Sequence, residues 1–193
     1  MVFIISFICN RLVDFLCEKK IIDKEEKDVY VYGYEMIFTT ILGAVIVFSI
    51  AVILARLLEA IVFFVVFVLT RQFCGGYHAN TRMKCSITFI LCYLFVLVFS
   101  KVLCVNYTWY MQAIIMVPYF VMIIGYAPIT NENKPIDEDE IIVNRRKSIC
   151  ISVMWLALAA VLIIYQPLLA STLVLTLLSI AMLMMVEILK RKE

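Results

Sequence analysis

His78, the only histidine among the 193 residues of this chain, lies seven residues before Cys85. A histidine can act as a general base near neutral pH and a cysteine thiolate is a strong nucleophile, so the pair can perform covalent acyl transfer. In an unbroken helix the two residues would stand ~10 Å apart along the axis. Direct proton transfer needs about 2.6–3.2 Å. If the two cooperate, His78 must therefore lie on a turn before the helix that carries Cys85.

The glycine pair Gly75-Gly76 supplies such a turn, because glycine adopts backbone angles that other residues avoid and interrupts a helix. Cys85 is then expected near the first turn of the next helix. There the helix N-terminus and the neighbouring Arg82 and Lys84 would favour its thiolate form.

Two alternatives use the same segment differently. A histidine and a cysteine seven residues apart also occur by chance, in which case 71–85 is a structural turn. Cys74, His78 and Cys85 are also conceivable as three metal ligands, but their spacing matches no common zinc pattern and no fourth ligand is evident. We therefore expect neither a metal nor another cofactor.

The composition requires a membrane around these residues. The chain is 65% hydrophobic with a mean hydropathy of +1.03, against roughly 45–50% apolar residues in soluble domains. Its length suits a single membrane domain, 1–193. The seven cysteines are scattered and odd in number, which argues against a disulfide framework.

Apolar stretches of about 20 residues, the length that crosses a bilayer, recur along the chain. They predict an all-α, polytopic bundle of about six transmembrane helices at 34–55, 57–73, 86–105, 107–125, 149–165 and 167–189. The second stretch is the weakest, and a re-entrant segment is its alternative. Residues 1–28 carry apolar residues at helical spacing, which predicts an amphipathic helix in the membrane interface or packed on the bundle.

Basic residues indicate the orientation. Of the 17 Lys and Arg residues, all but Arg56 and Lys101 lie before the first span, within 71–85, within 126–148 or after the last span. Because positive residues are retained in the cytoplasm, we expect both termini, His78 and Cys85 on the cytoplasmic side of a multi-pass cell-membrane protein.

The longest polar segment, 126–148, combines prolines with clustered charge. Pro128 and Pro135 prevent a helix through its first half. Acidic residues at 137–140 then predict the start of a short helix that the basic cluster would close. The segment is either a solvated linker or a docking surface for an acidic peptide or anionic lipid headgroups. Its cations are Lys134, Arg145, Arg146 and Lys147.

The run RQFCGGYHANTRMKC at 71–85 resembles the signature of the AgrB family, bacterial membrane cysteine endopeptidases that process quorum-sensing propeptides. The later APITNENKPI run at 127–136 and the number of spans extend the resemblance over most of the chain. It implies that His78 and Cys85 are the catalytic pair. Supporting or substrate-binding roles are implied for Arg71, Gly75, Gly76, Lys134, Arg145, Arg146 and Lys147, although acidic residues here separate Lys134 from the basic cluster.

The resemblance also implies the reaction and the partners. The substrate would be an AgrD-like propeptide with an amphipathic N-terminal helix and an acidic C-terminal tail. Removal of the tail through a thioester acyl-enzyme would lead to a cyclic thiolactone or lactone autoinducing peptide. The other expected partner is the lipid bilayer; a homodimer is compatible with so small a bundle, and no nucleic acid is expected.

A non-enzymatic membrane peptide exporter or receptor is the alternative function. Charged residues inside the membrane are costly and usually functional, which would favour transport. The candidates are Glu59 and Glu187, which both lie near span ends and are expected to reach water there.

Overall fold

The computed structural model of the protein describes residues 2–75, 82–106, 109–129 and 138–190. Over these residues the chain is helical with no named strand, which confirms the predicted all-α class. A 3-10 turn, Lys24–Glu26, precedes the second helix. The helices are α1 (Val2–Glu18), α2 (Lys27–Ile53), α3 (Leu57–Cys74), α4 (Arg82–Asn106), α5 (Trp109–Tyr126), α6 (Glu138–Tyr165) and α7 (Pro167–Lys190).

Five of these helices, α2, α3, α4, α6 and α7, are long and apolar enough to cross a membrane. The remaining predicted span corresponds to α5, which is apolar over Tyr110–Tyr126 but shorter than the other five. At 1.5 Å per residue, its 18 residues are about 27 Å long, close to the ~30 Å thickness of a hydrocarbon core. The protein is therefore a polytopic helical membrane protein.

The helix α6 differs from the sequence-based prediction. Acidic residues do occur at its start, but it does not end at the basic cluster 145–147 and runs without interruption to Tyr165. The physical reason is local, because no glycine or proline occurs between Glu138 and Tyr165 to stop the helix. The basic cluster consequently lies on a rigid helix that continues into the membrane span.

One compact unit consists of Met1–Ser49 and Ala79–Ile90. Within it, Lys27 Nζ lies 2.5 Å from Asp14 Oδ1, which ties the start of α2 to α1. On α1, Cys9 and Val13 are fully buried, whereas Phe7, Ile8 and Phe15 are exposed. The helix thus has both a packed side and an exposed apolar row suited to a membrane interface.

A second compact unit consists of Ile50–His78 and Leu91–Glu193. Its central element is α7, which packs against α3, α5 and α6. Four buried hydroxyl residues on α7 donate to backbone carbonyls four residues earlier, so their polar atoms are satisfied inside the helix. They are Ser171, Thr172, Thr176 and Ser179.

Charged side chains are also buried in this second unit. Arg56 Nε donates to Glu59 Oε1 at 2.9 Å, and the same guanidinium donates to the Leu97 carbonyl oxygen at 2.5 Å and to Ser100 Oγ at 2.8 Å. The expectation that Glu59 and Glu187 reach water is wrong, since they are only 7% and 4% exposed. For Glu59 the reason is Arg56, whose opposite charge compensates the loss of water.

Candidate active site

Cys85 is the fourth residue of α4, so its position in the first turn of a helix agrees with the expectation from the sequence. Its thiol is free and the residue is partly exposed. In the next turn, Thr88 Oγ1 donates to the Lys84 carbonyl oxygen at 2.7 Å and therefore points back along the helix. A partly exposed thiol in the first turn of a helix, where the helix dipole favours a thiolate, is a setting in which a cysteine can act as a nucleophile.

Three of the predicted site residues, Gly76, His78 and Lys134, lie outside the described residues. The proposed partnership of His78 with Cys85 therefore stays a prediction. Arg71, Gly75 and the basic cluster 145–147 all belong to the second unit and lie among the described residues.

Gly75 ends α3 in a conformation that requires glycine. Its φ is +70° and its N–H donates to the Arg71 carbonyl oxygen at 3.3 Å. It forms an isolated parallel bridge with Ile129, whose N–H donates to the Cys74 carbonyl oxygen at 3.0 Å. A Cβ atom on Gly75 would collide with the Ile129 carbonyl oxygen. The bridge therefore holds the start of the 71–85 segment against the start of the 126–148 segment.

Arg71 lies one turn before this bridge, in the last turn of α3. Its guanidinium carbon is 5.4 Å from the centroid of the Phe67 ring, four residues earlier, so the side chain lies back along its own helix. A cation in the last turn also interacts favourably with the negative end of the helix dipole. Arg71 is partly exposed.

The basic cluster of α6 reaches the ends of both α3 and α5. Lys147 Nζ lies 5.4 Å from the centroid of the Phe73 ring on α3. Arg145 Nη2 donates to the Ile124 carbonyl oxygen on α5 at 3.3 Å. Together with the Gly75–Ile129 bridge, these contacts bring the C-terminal end of α3, Ile129 and the basic cluster of α6 to one end of the second unit. All three basic residues, Arg145, Arg146 and Lys147, are exposed there.

A buried polar cluster beneath this end was not predicted from the sequence. Tyr119 Oη on α5 lies 2.7 Å from Ser152 Oγ on α6, and Ser152 donates to the Ser148 carbonyl oxygen at 2.6 Å. Trp155 Nε1 on α6 donates to Thr70 Oγ1 on α3 at 2.9 Å. The cluster therefore connects α6 to α3 and to α5. Its residue on α3, Thr70, lies between one and two helical turns before Gly75.

The only sequence signal for this cluster is the pair Ser148 and Ser152, spaced four residues apart on α6 with Trp155 following three residues later. That spacing puts the three side chains on one helix face. It does not identify the partners, because Thr70 is 85 residues from Trp155 in the chain.

None of the seven cysteines forms a disulfide, in agreement with the expectation from their number and spacing. Within the described ranges there is no group of three or more His, Cys, Asp or Glu side chains suited to a metal ion. His78 falls outside those ranges, so the alternative that joins it with Cys74 and Cys85 as metal ligands is not tested.

Comparisons with known proteins agree on one family. The sequence model of the AgrB family, described as Accessory gene regulator B, matches residues 9–188. An AgrB-like protein of Clostridium perfringens (strain SM101 / Type A) is 25% identical over 127 residues. That alignment covers 61% of this chain and 58% of the relative, so the chain matches a little over half of the relative's length. No solved structure matches.

Proposed function

We propose that this chain, which belongs to the AgrB family, processes accessory gene regulator quorum-sensing peptides as a membrane cysteine endopeptidase. The observation that carries this proposal is the free, partly exposed thiol of Cys85 in the first turn of α4. The motif at 71–85 supplies His78 as the matching base. The proposed substrate is an AgrD-like propeptide with an acidic C-terminal tail.

In the proposed reaction, His78 takes the proton from the Cys85 thiol, and the thiolate attacks the carbonyl carbon of the peptide bond before the acidic tail. His78 returns the proton to the leaving amine of the tail, and the rest of the peptide stays on Cys85 as a thioester. A thiol or hydroxyl inside the bound peptide then attacks this thioester. A thiolactone or lactone ring is released and the Cys85 thiol is restored.

Forming a thioester before ring closure is energetically favourable for the second step. A free carboxylate would need fresh activation before it could close a ring, whereas a thioester retains an activated carbonyl carbon. Holding the internal nucleophile beside that carbon also makes ring closure effectively unimolecular. Cleavage and cyclisation thus become two steps at one cysteine.

The proposed role of the other site residues is to hold the substrate. Arg145, Arg146 and Lys147 are exposed on α6, and their positive charge suits an acidic peptide tail. Arg71 lies at the same end of the second unit, one turn before the Gly75–Ile129 bridge. Gly76 and Lys134 are assigned supporting roles by the family resemblance.

The proposed location is the cell membrane, with both termini, His78 and Cys85 facing the cytoplasm. The support is the asymmetric distribution of Lys and Arg, since 15 of 17 lie in segments assigned to one side. A propeptide lying on the cytoplasmic leaflet would then meet the site directly.

The test is a cleavage assay in lipid vesicles with an AgrD-like propeptide, followed by mass spectrometry. Cys85→Ala should lose tail release roughly a thousandfold or more, because the nucleophile is gone. His78→Ala should lose it by about 10²–10⁴-fold. Cys92→Ala, on the same helix, is the matched control and should retain activity. Equal processing by all four proteins would remove the endopeptidase proposal and favour the peptide exporter or receptor.

A further inference from the structure

A cleft of about 740 Å³ lies between α5 and α6 in the second unit. That volume is within the roughly 300–1,000 Å³ typical of sites for small molecules. The four residues of α6 that line it follow the pattern i, i+3, i+4 and i+7, so they form one face of that helix. All the lining residues are apolar: Ala113, Met116, Val117, Phe120, Val121, Ile124, Gly125, Leu156, Ala159, Ala160 and Ile163.

Some residues that line the cleft are exposed and others are buried, so the cleft is open on one side. Val117, Val121 and Ile124 on its rim are 56%, 58% and 60% exposed. Ala159 at its base is fully buried, and a Cβ added to Gly125 would meet no atom within 4 Å. The space next to Gly125 is therefore open, and it faces the position that lipid chains take around a spanning helix.

One end of the cleft carries a positive charge. Arg145 donates to the carbonyl oxygen of Ile124, which lines the cleft. Arg145 also precedes Leu156 by 11 residues, close to three whole helical turns, so both lie on the same face of α6. Their separation along the helix axis is about 16 Å. A guanidinium has five N–H donors, and the bond to Ile124 uses one of them.

We propose that this cleft binds an anionic phospholipid, with one acyl chain between α5 and α6 and the phosphate group against Arg145. The lining offers no side-chain donor or acceptor, which suits a hydrocarbon chain and would leave the polar groups of an extended peptide unsatisfied. The guanidinium at the end of the cleft complements a phosphate in charge and in geometry. Basic pockets between transmembrane helices bind lipid headgroups in this way. This site does not involve Cys85, but it shares Arg145 with the basic cluster proposed to hold the peptide tail, so the experiment is done without peptide.

The experiment uses the full chain reconstituted with equal amounts of phosphatidylglycerol and phosphatidylcholine, without any peptide. After extraction into mild detergent, native mass spectrometry measures which lipids remain bound. Arg145→Gln removes the charge, and Gly125→Leu puts an apolar side chain into the cleft at a position where an added Cβ meets no atom within 4 Å. The matched controls are Lys101→Gln, at an exposed cation on α4, and Gly33→Leu, where a Cβ also meets nothing within 4 Å.

The wild-type protein should retain phosphatidylglycerol in preference to phosphatidylcholine. Arg145→Gln should reduce that preference about fivefold, the effect of one cation near a membrane surface. Gly125→Leu should reduce retention of both lipids, and both controls should behave as the wild type. No preference in the wild type, or unchanged retention in either test variant, would overturn the proposal. A bound second copy that Gly125→Leu releases would also overturn it, because the cleft would then be a protein interface.

Discussion

At Gly75 the backbone has a φ of +70° and lies against the carbonyl oxygen of Ile129. We predict that Gly75→Ala will destabilise the protein by at least about 1–3 kcal/mol, the usual cost of a strained backbone angle in a residue with a side chain. The collision with Ile129 adds to that cost, so the bridge between α3 and residue 129 should open. Thermal unfolding in detergent, followed by circular dichroism, measures the change.

Gly33→Ala is the matched control for this substitution. Gly33 lies inside α2, and a Cβ there would meet nothing within 4 Å. Alanine should stabilise the helix by about 0.5–1 kcal/mol relative to glycine. If the two substitutions had equal effects, the special role assigned to the Gly75 backbone would be contradicted.

The glycine turn at this site was predictable, but its partner was not. Two adjacent glycines after an apolar stretch indicate a turn through their own backbone freedom, and Gly75 does end α3. Ile129 is 54 residues away and lies in a segment whose prolines indicate only the absence of helix. Pairing between distant backbone atoms leaves no local periodic pattern, so the sequence alone could not identify the bridge.

At the level of helices, the hydroxyl pair of Tyr119 and Ser152 joins α5 to α6. We predict that Tyr119→Phe will destabilise the protein by about 1 kcal/mol, because Ser152 loses a buried partner. A double-mutant cycle with Ser152→Ala should give a coupling energy of at least about 0.6 kcal/mol, the average measured between membrane helices, and at most about 1.7 kcal/mol, the largest value measured. Unfolding in mixed micelles provides the four stabilities.

Tyr165→Phe removes the same hydroxyl group at the end of α6, where the side chain is 74% exposed. This control should leave the stability within about 0.5 kcal/mol of the wild type, as is usual for surface changes. A coupling energy near zero for Tyr119 and Ser152 would mean that their contact does not hold the two helices together.

The ion pair of Arg56 and Glu59 anchors the start of α3 to α4 through Leu97 and Ser100. We predict that Arg56→Gln will cost about 3–5 kcal/mol, because it leaves Glu59 as an uncompensated buried charge. Adding Glu59→Gln should recover part of that loss. Lys101→Gln, at an exposed cation on α4, should change the stability little.

The result for the double variant decides the interpretation of this ion pair. If Arg56→Gln together with Glu59→Gln were as unstable as Arg56→Gln alone, the loss would come from the bonds to Leu97 and Ser100. Recovery in the double variant would identify the unpaired carboxylate as the cause. The same unfolding measurement therefore distinguishes a charge effect from the loss of hydrogen bonds.

For the whole molecule, the helices were largely predictable and their packing was not. Apolar stretches of about 20 residues indicate spanning helices because each must satisfy its own backbone inside lipid. The length of an apolar stretch does not indicate that α7 is the central helix or that Arg56 enters the bundle. Both features depend on contacts between residues that are distant in the chain. The helix end expected near residue 147 was wrong because a cluster of charges does not stop a helix by itself, and α6 contains no glycine or proline that would.

The charge asymmetry of the chain predicts its orientation in the membrane. A reporter enzyme that is active only outside the cytoplasm should be inactive when fused after residue 193 and active when inserted between α4 and α5, because basic segments stay in the cytoplasm. A reporter active only in the cytoplasm serves as the control and should give the opposite pattern. Activity of the first reporter at the C-terminus would contradict the cytoplasmic placement of Cys85.

The central claim is that Cys85 carries the peptide as a thioester, and it is tested most directly by trapping that adduct. An AgrD-like propeptide whose internal thiol or hydroxyl is replaced by hydrogen cannot close the ring, so the acyl-enzyme should accumulate on the vesicle-embedded protein. Intact-mass spectrometry should show an added mass equal to the peptide without its tail on the wild type and on Cys92→Ala, and no adduct on Cys85→Ala. Tail release by Cys85→Ala at the wild-type rate, or an adduct on another cysteine, would contradict the account.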